Sequence, residues 1–225
     1  MSGTKTVAAI QAEINNLSPH PEKVKLLAVS KKQPVDKLLE LYNQKQFAFG
    51  ENYVQEALEK IEVLPKDIEW HLIGHLQSKK VNLIVGKFAY IHSIDSLKIA
   101  ELVGQKSKLA GITQKIFIEV NLEAEETKTG FSVETVRAEW AKLTQIHALQ
   151  IVGLMALPPE SENESITRKH FKNLSQLQKE LQKKTDTSLH PLDRLSMGTS
   201  QDYTIALQEG ATVIRVGTLL FGERV

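Results

Sequence analysis

The stretch RLSMGTSQDYTIALQEGATVIRVG (194–217) contains a predicted strand, a helix and a second strand, in that order. RLSMG (194–198) and TVIRVG (212–217) are short apolar runs, and the helix begins at about Gln201. Strands that are apolar on both faces are typical of parallel sheets covered by helices. The stretch therefore predicts a β–α–β unit.

The same alternation fills the chain before this unit. Six earlier runs have the same character: KLLAVS (25–30), QFAFG (46–50), WHLIG (70–74), AYIHSI (89–94), KIFIEVNL (115–122) and QIVGLMAL (150–157). Eight alternations without a linker or a low-complexity tract predict an α/β fold, a single (β/α)8 TIM barrel domain over residues 1–225. A doubly wound open sheet is the structural rival, and periodicity does not exclude it.

Apolar stripes with helical spacing lie between the predicted strands. The longest helix is expected from about Glu164 to Lys184, and Ser96 and Ser132 are expected to cap two others. Another helix is expected after Pro34, which we place at its first position; its stripe is Val35, Leu38, Leu39 and Tyr42. An extra N-terminal helix precedes the first strand, with a stripe of Val7, Ile10, Ile14 and Leu17.

Charge and composition narrow the function classes. The 225 residues contain 28 Lys+Arg and 27 Asp+Glu, and this balance favours neither nucleic acid nor a membrane surface as a partner. The absence of cysteine excludes disulfides, thiolate nucleophiles and Cys-ligated metals. The first twenty residues lack the unbroken apolar stretch of a signal peptide, and no window approaches the roughly 20 apolar residues of a membrane span. We therefore expect a cytoplasmic protein.

Two loops at the ends of the last predicted strands suggest a phosphate site. In barrels, phosphate is often bound by the loops after strands seven and eight, with a helix N-terminus behind them. The first loop offers Ser196, Gly198 and Thr199, and the second offers Gly217 and Thr218. Each loop alone is also ordinary turn chemistry, so the argument depends on both lying at the expected strand ends.

Lys31 directly follows the first predicted strand, where its side chain can enter the barrel mouth. A lysine that is partly desolvated there could form a Schiff base with a carbonyl. The alternative is an ordinary solvated lysine, because the chain is rich in this residue.

Arg215 lies inside the apolar run TVIRVGTLLFG (212–222), an unusual place for a permanent cation. A buried guanidinium must be paired or must donate hydrogen bonds. Two partners stay open: the ring nitrogen of a pyridoxal cofactor, or a structural salt bridge to Glu51 or Glu119.

Other chemistry has less support. His71 and His75 are four residues apart but span a strand end, without the helix that an HExxH zinc site needs, so we predict no metal. One of the two is expected to be a core histidine and the other to line a pocket. The GxGxxG, GxxxxGK[ST] and GxSxG patterns are absent.

A lysine after the first strand, two phosphate loops and a buried arginine together describe a pyridoxal 5′-phosphate (PLP) barrel. The sequence resembles the pyridoxal phosphate homeostasis protein family over essentially its whole length. The stretches that carry the resemblance are LLAVSKKQP (26–34), FGENYVQE (49–56), WHLIGHLQSKK (70–80), IHSIDS (91–96), KTGF (128–131), GLMAL (153–157), LSMGTSQDY (195–203) and IRVGTLLFGER (214–224).

The resemblance implies the barrel fold of the alanine racemase N-terminal domain and a set of cofactor-binding residues. That set comprises Lys31 as the Schiff-base lysine, Asn52 in the pocket, Ser196, Gly198 and Thr199 in one phosphate loop, Gly217 and Thr218 in the other, and Arg215 at the pyridine nitrogen. One departure is visible: Thr199 stands where the family loop commonly has a second methionine. A backbone contact would survive that change.

The resemblance also implies a role: holding PLP for vitamin B6 and amino-acid homeostasis, without established turnover and with no catalytic residue. The length supports this expectation, because a barrel takes about 250 residues and leaves no room for the second domain of a racemase. The alternatives are a PLP-dependent amino-acid racemase and a PLP-gated module that binds a regulatory protein. PLP-dependent apo-enzymes are further candidate partners, and we expect a monomer.

Overall fold

The structure, a computed structural model, describes residues 4–123, 129–159, 161 and 163–222. Within these residues the wall of a barrel is built from eight strands: β1 (Lys25–Val29), β2 (Ala48–Glu51), β3 (Glu69–Leu72), β4 (Tyr90–Ile94), β5 (Gln114–Asn121), β7 (Leu149–Met155), β8 (Arg194–Ser196) and β9 (Val213–Val216). A two-residue strand, β6 (Phe131–Ser132), pairs with the end of β5 outside this wall. Each wall strand overlaps one of the eight predicted runs.

The strands pair in parallel around a complete ring. β1 pairs with β2 on one side and with β9 on the other, and Ala28 lies opposite both Phe49 and Val216. The additional pairing of β4 with β5 closes the ring. The predicted barrel is confirmed, and the open doubly wound sheet is excluded because an open sheet would leave two unpaired edge strands.

Helices follow the strands and cover the outside of the ring. They are α1 (Val7–Leu17), α2 (Val35–Asn43), α3 (Val54–Val63), α4 (Val81–Ile84), α5 (Leu97–Leu109), α6 (Val133–Leu143), α7 (Glu164–Gln182), α8 (Tyr203–Gln208) and α9 (Thr218–Phe221). The extra N-terminal helix is confirmed, with Ile10 and Ile14 buried as predicted. Across the described ranges, no helix combines the length and the apolar character that crossing a membrane requires.

The helix ends largely follow the predictions. The hydroxyls of Ser96 and Ser132 each accept a backbone N–H three residues further on, which confirms both N-caps. The start of α2 differs from the prediction, because Pro34 has an extended backbone and serves as the N-cap, not as the first helical residue. The buried stripe differs as well: Leu41 is buried, whereas Leu39 is 36% exposed, since this nine-residue helix buries a narrow i, i+3 stripe.

Two groups of buried side chains lie on opposite sides of the strands, because alternate residues of a strand point to opposite faces. The outer layer fills the space between strands and helices and is apolar; it includes Phe49, Leu72, Ile91, Ile118, Leu154, Phe171 and Leu174. The barrel interior is a smaller apolar cluster of Leu27, Ala48, Tyr90, Phe117, Val152, Met155 and Val213. Two histidines stack on its rings, His71 on Tyr90 and His92 on Phe117.

Candidate functional site

A cavity of about 280 Å³ lies at the carboxyl ends of the strands. This is the end of a barrel at which active sites form. Six of the eight predicted site residues line it: Lys31, Asn52, Thr199, Arg215, Gly217 and Thr218. Ser196 and Gly198 do not line the cavity. Ser196 is the last residue of β8, and Gly198 lies in the loop that follows this strand. The structure therefore gathers residues that are up to 187 positions apart, from Lys31 to Thr218, at one place.

A buried polar cluster holds the corner that carries Lys31. The hydroxyl of Ser30 donates to Glu51 Oε1 at 2.7 Å, and Lys60 Nζ donates to the backbone oxygen of Ser30 and to Glu51 Oε1, each at 2.7 Å. Glu56 accepts both from Lys60 Nζ at 2.7 Å and from the backbone N–H of Lys32 at 2.6 Å. These bonds tie α3 to the residues on both sides of Lys31 and fix where its side chain begins.

Lys60 is the residue of this corner that the sequence did not reveal. Its side chain is 6% exposed, and its partner Glu51 is fully buried. Burial raises the pKa of Glu51, although the ion pair with Lys60 opposes that shift. The signal in the sequence is faint: Lys60 shares a helical face with Val54 and Ala57 and so falls on the buried side of α3.

Asn52 is placed by a close approach of two chain segments. A Cβ at Gly74 would lie 2.3 Å from the backbone oxygen of Asn52, so only glycine fits there. The Asn52 Oδ1 atom is buried and has no hydrogen-bond partner among the residues that the structure describes. A buried acceptor without a partner is rare and calls for a donor from a bound molecule or water. Because Asn52 lines the cavity, this atom indicates a ligand position there.

Gly198 shapes the first predicted phosphate loop. Its φ of +90° lies in the region that favours glycine, and a Cβ there would come within 2.6 Å of Ala206 Cβ and 2.9 Å of Tyr203 Cα. Its carbonyl accepts the backbone N–H of Arg215 at 3.0 Å. Gly198 therefore packs the loop against α8 and β9, which is a structural contribution to the site.

Thr199 and Ser200 connect this loop to its surroundings. The backbone N–H and the hydroxyl of Thr199 both donate to Asp202 Oδ1, at 2.6 and 2.9 Å. The hydroxyl of Ser200 accepts the backbone N–H of Gly217 at 3.1 Å, which ties the two predicted phosphate loops together. Ser200 also lines the cavity and was not among the predicted site residues.

Arg215 projects from β9 and is 6% exposed. Its Nη1 donates to the backbone oxygen of Ser196 at 2.7 Å and to Ser196 Oγ at 2.8 Å, and its Nη2 donates to the backbone oxygen of Ala156 at 2.9 Å. Burial lowers the pKa of Arg215 to about 10, so the guanidinium stays charged at neutral pH. A guanidinium has five N–H groups, and those that these bonds do not use remain for the cavity that Arg215 lines.

The salt bridge considered for Arg215 is not formed. Glu51 pairs with Lys60, and Glu119 accepts a hydrogen bond from the hydroxyl of Thr129 at 2.8 Å. Neither alternative is present, because the guanidinium of Arg215 bonds Ser196 and Ala156 and forms no ion pair with Glu51 or Glu119. Glu119 still lines the cavity, and burial raises the pKa of this carboxyl group.

Ser196 has a different environment from the one expected of a phosphate ligand. It is fully buried at the end of β8, and its hydroxyl lies 2.9 Å from His92 Nδ1 in addition to its contact with Arg215. Of the two histidines for which a core role and a pocket role were predicted, His71 is the core residue, because it is fully buried. His75 is the residue that lines a shallow groove, where it pairs with Asp95 at 3.0 Å.

The cavity thus combines an amine, a fixed guanidinium, two tethered loops with hydroxyl groups and an acceptor without a partner. A lysine amine can form a covalent bond to the carbon of a carbonyl group. The hydroxyls and amides of a loop bind anions, and a buried guanidinium donates hydrogen bonds to a ring nitrogen or to an oxygen. The apolar part of the lining, which the sequence did not single out, comprises Val29, Ile73, Met155 and Leu157. Such a site suits a flat anionic aldehyde.

Comparisons with known proteins agree with this fold. The family model described as "Alanine racemase, N-terminal domain" matches residues 6–225. Alanine racemase of Clostridium difficile 630 has a TM-score of 0.74 at 16% identity over 95% of this chain and 58% of that one, a likeness of fold alone. The chain is therefore a barrel of the alanine racemase N-terminal class.

Closer relatives narrow this class to one family. The pyridoxal phosphate homeostasis protein of Aquifex aeolicus (strain VF5) is 41% identical over 201 residues, which are 89% of this chain and 87% of that protein. PipY of Synechococcus elongatus PCC7942 with PLP bound has a TM-score of 0.84 at 39% identity, over 95% of this chain and all of that one. The chain belongs to the pyridoxal phosphate homeostasis protein family.

Proposed function

We propose that this protein binds PLP as a Schiff base of Lys31 and serves PLP and amino-acid homeostasis without catalytic turnover. The observation that carries the proposal is the cavity at the carboxyl ends of the strands, which brings Lys31, Arg215 and both loops together. A PLP-bound relative at 39% identity gives independent support for the cofactor.

The residues fit the cofactor group by group. Lys31 would supply the amine, and the two loops, which the Ser200–Gly217 bond joins, would hold the phosphate. The donors of Thr199 are already used by Asp202, so we assign the phosphate contacts chiefly to Ser200 and Thr218. The cavity of about 280 Å³ lies just below the usual range for drug-sized ligands, which suits one small cofactor. Gly198 and Gly217 shape the loops.

Arg215 supports a role without turnover. PLP, when bound, supplies an aldehyde and a ring that withdraws electrons best with its nitrogen protonated. A guanidinium only donates hydrogen bonds, so Arg215 favours an unprotonated ring nitrogen. The carboxyl of Glu119 lines the same cavity but bonds Thr129, not Arg215. Strong carbanion chemistry is therefore disfavoured at this site.

Lys31→Ala tests the covalent assignment. We expect that the wild-type protein, incubated with PLP and reduced with borohydride, gains the mass of one cofactor and that Lys31→Ala does not. Lys32→Asn is the matched control, because Lys32 has a φ of +57° that asparagine tolerates, and its side chain is exposed. A cofactor absorbance band and a trapped adduct that persist in Lys31→Ala would contradict the proposal.

The absence of turnover has its own test. Deuterium incorporation at Cα of a panel of amino acids in D2O should be no faster with the holoprotein than with PLP alone. Faster incorporation would favour a racemase-like enzyme instead.

We further propose that residues 1–225 act as one domain, as a monomer in the cytoplasm, with PLP-dependent apo-enzymes or a regulatory protein as partners. The lack of cysteine and the near-neutral charge support this setting. Light scattering of the purified holoprotein checks the monomer, and a dimer mass would contradict it.

A further inference from the structure

A row of hydrogen bonds runs through the barrel interior from its amino end to Arg215. Glu69 Oε1 lies 2.8 Å from His71 Nε2, and His71 Nδ1 lies 2.8 Å from His92 Nε2. His92 Nδ1 lies 2.9 Å from Ser196 Oγ, which accepts from Arg215 Nη1 at 2.8 Å. The row crosses β3, β4, β8 and β9. It links Glu69, the first residue of β3, to Arg215 of β9, which lines the cavity.

The chemistry of its two ends fixes the direction of every bond in this row. Arg215 can only donate, so Ser196 Oγ accepts from it and turns its own proton to His92 Nδ1. His92 then carries its proton on Nε2 and donates to His71 Nδ1. His71 carries its proton on Nε2 and donates to the carboxylate of Glu69. Each ring nitrogen therefore has one role, Ser196 Oγ accepts one hydrogen bond and donates another, and the arrangement is complete with both histidines neutral.

The surrounding charges favour this neutral arrangement. Both rings are fully buried, and burial lowers the pKa of His71 and takes that of His92 well below its ordinary value. Lys25, which is paired with Glu69, and Arg194 and Arg215 face the pair from β1, β8 and β9 and disfavour a further positive charge. At the Glu69 end, burial opposes the charge, but bonds from His71 and Lys25 outweigh it and lower the pKa of Glu69 to about 2.

We propose that His92, His71 and Glu69 are positioning residues for Arg215, which orient Ser196 so that the guanidinium is held in one direction towards the ring of the bound cofactor. The inference rests on the proposed function only in taking a pyridine ring as what Arg215 faces. It gives Ser196 a role different from phosphate binding. It also means that a substitution at Glu69, at the amino end of the barrel, changes how Arg215 is held at the cavity end.

An affinity comparison separates this positioning from general loosening of the core. The probe is 4-deoxypyridoxine 5′-phosphate, which has the ring and the phosphate but no aldehyde; inorganic phosphate is the second probe. We expect His92→Leu to weaken binding of the ring compound roughly 3- to 10-fold, the loss of about one hydrogen bond. Binding of inorganic phosphate should stay within about twofold, because the loops do not belong to the row.

Conservative and control variants complete the test. His92→Gln keeps an acceptor and a donor and should restore ring binding to within about threefold of wild type. Tyr90→Phe is the control, because its ring still stacks on His71 and it loses only a hydrogen bond from Arg194 at the amino end. It should bind both probes as wild type does.

Several outcomes overturn the inference. A folded His92→Leu that binds the ring compound as tightly as wild type would do so, as would equal losses for both probes. If His92→Leu does not fold, Glu69→Gln decides: it lies 31% exposed at the amino end, and unchanged ring affinity there would overturn the inference. Because neither probe has an aldehyde, these results stand whether or not Lys31 bonds PLP.

Discussion

The two sides of the barrel wall are built from different kinds of residue. The outer layer joins strands to helices through large apolar side chains, and Phe171 and Leu174 are fully buried there. The interior has a small apolar cluster, and polar or charged side chains occupy both of its ends: Lys25 and Arg194 approach the Tyr90 ring at one end, and Arg215 lines the cavity at the other. The comparison teaches that stability and function are carried by opposite faces of the same strands.

Short strands explain this division. A strand of four or five residues points only two or three side chains inwards, so the interior cannot supply much apolar area. The helices bury far more on the outside. The interior can therefore hold a row of polar groups, provided that each has a partner, since an unpaired buried polar group is costly.

Phe171→Ala is expected to produce the largest effect on stability. Phe171 is fully buried in the outer layer, and its truncation should lower the free energy of unfolding by about 3–5 kcal/mol. Cofactor affinity of the folded protein should not change, since Phe171 is remote from the cavity lining. Urea denaturation and PLP titration measure the two quantities. Phe47→Ala, at a side chain 43% exposed, is the control and should cost less than about 1.5 kcal/mol. If folded Phe171→Ala bound PLP with a different affinity, the outer layer would contribute to cofactor binding and the contrast between the two sides of the wall would fail.

Lys60→Met tests the buried Lys60–Glu51 ion pair, which is a polar contact on the otherwise apolar, helix-covered side of the barrel wall. Removing Lys60 leaves Glu51 charged and buried, and we expect a loss of about 3 kcal/mol at pH 7. The loss should shrink as pH falls, because Glu51 can then take up a proton. Denaturation at pH 7 and pH 5.5 measures this trend, and Lys79→Met, at an exposed lysine, is the control. An unchanged stability would show that the pair does not hold the Lys31 corner.

Acid should destabilise the folded protein through the two histidines of the barrel interior, and the loss over any single pH unit should be the smallest of the three effects. His71 and His92 have folded pKa values below their ordinary value near 6.5, so the unfolded chain binds more protons and stability falls as pH drops below about 6.5. Each histidine contributes up to about 1.4 kcal/mol per pH unit. Glu69, with a pKa lowered to about 2, adds a loss only below about pH 4.5. The slope of unfolding free energy between pH 6.5 and 5 should be smaller in His92→Gln. An equal slope in both proteins would contradict this account.

Much of the site followed from the sequence because strand ends can be located there. Lys31, Arg215 and the two loops each come directly after, or within, a predicted strand, and the carboxyl ends of parallel strands meet at one mouth. Ser196 satisfied the same rule, yet its side chain turns towards His92. Which face of the last strand residue points to the cavity depends on register, and one residue of shift reverses it.

The sequence by itself determined the eight β–α alternations, two of the helix caps and most of the residues at the barrel mouth, because hydrophobic period, turn residues and chain order are local properties. The pairing of β4 with β5, which excludes an open sheet, appears only in the tertiary structure. Only the tertiary structure decided that Lys60 is buried against Glu51 and that His71 and His92 join Glu69 to Arg215. Those partners lie on different strands and helices. Hydrogen bonds between distant segments depend on ångström-scale distances and on direction, which no periodic pattern encodes.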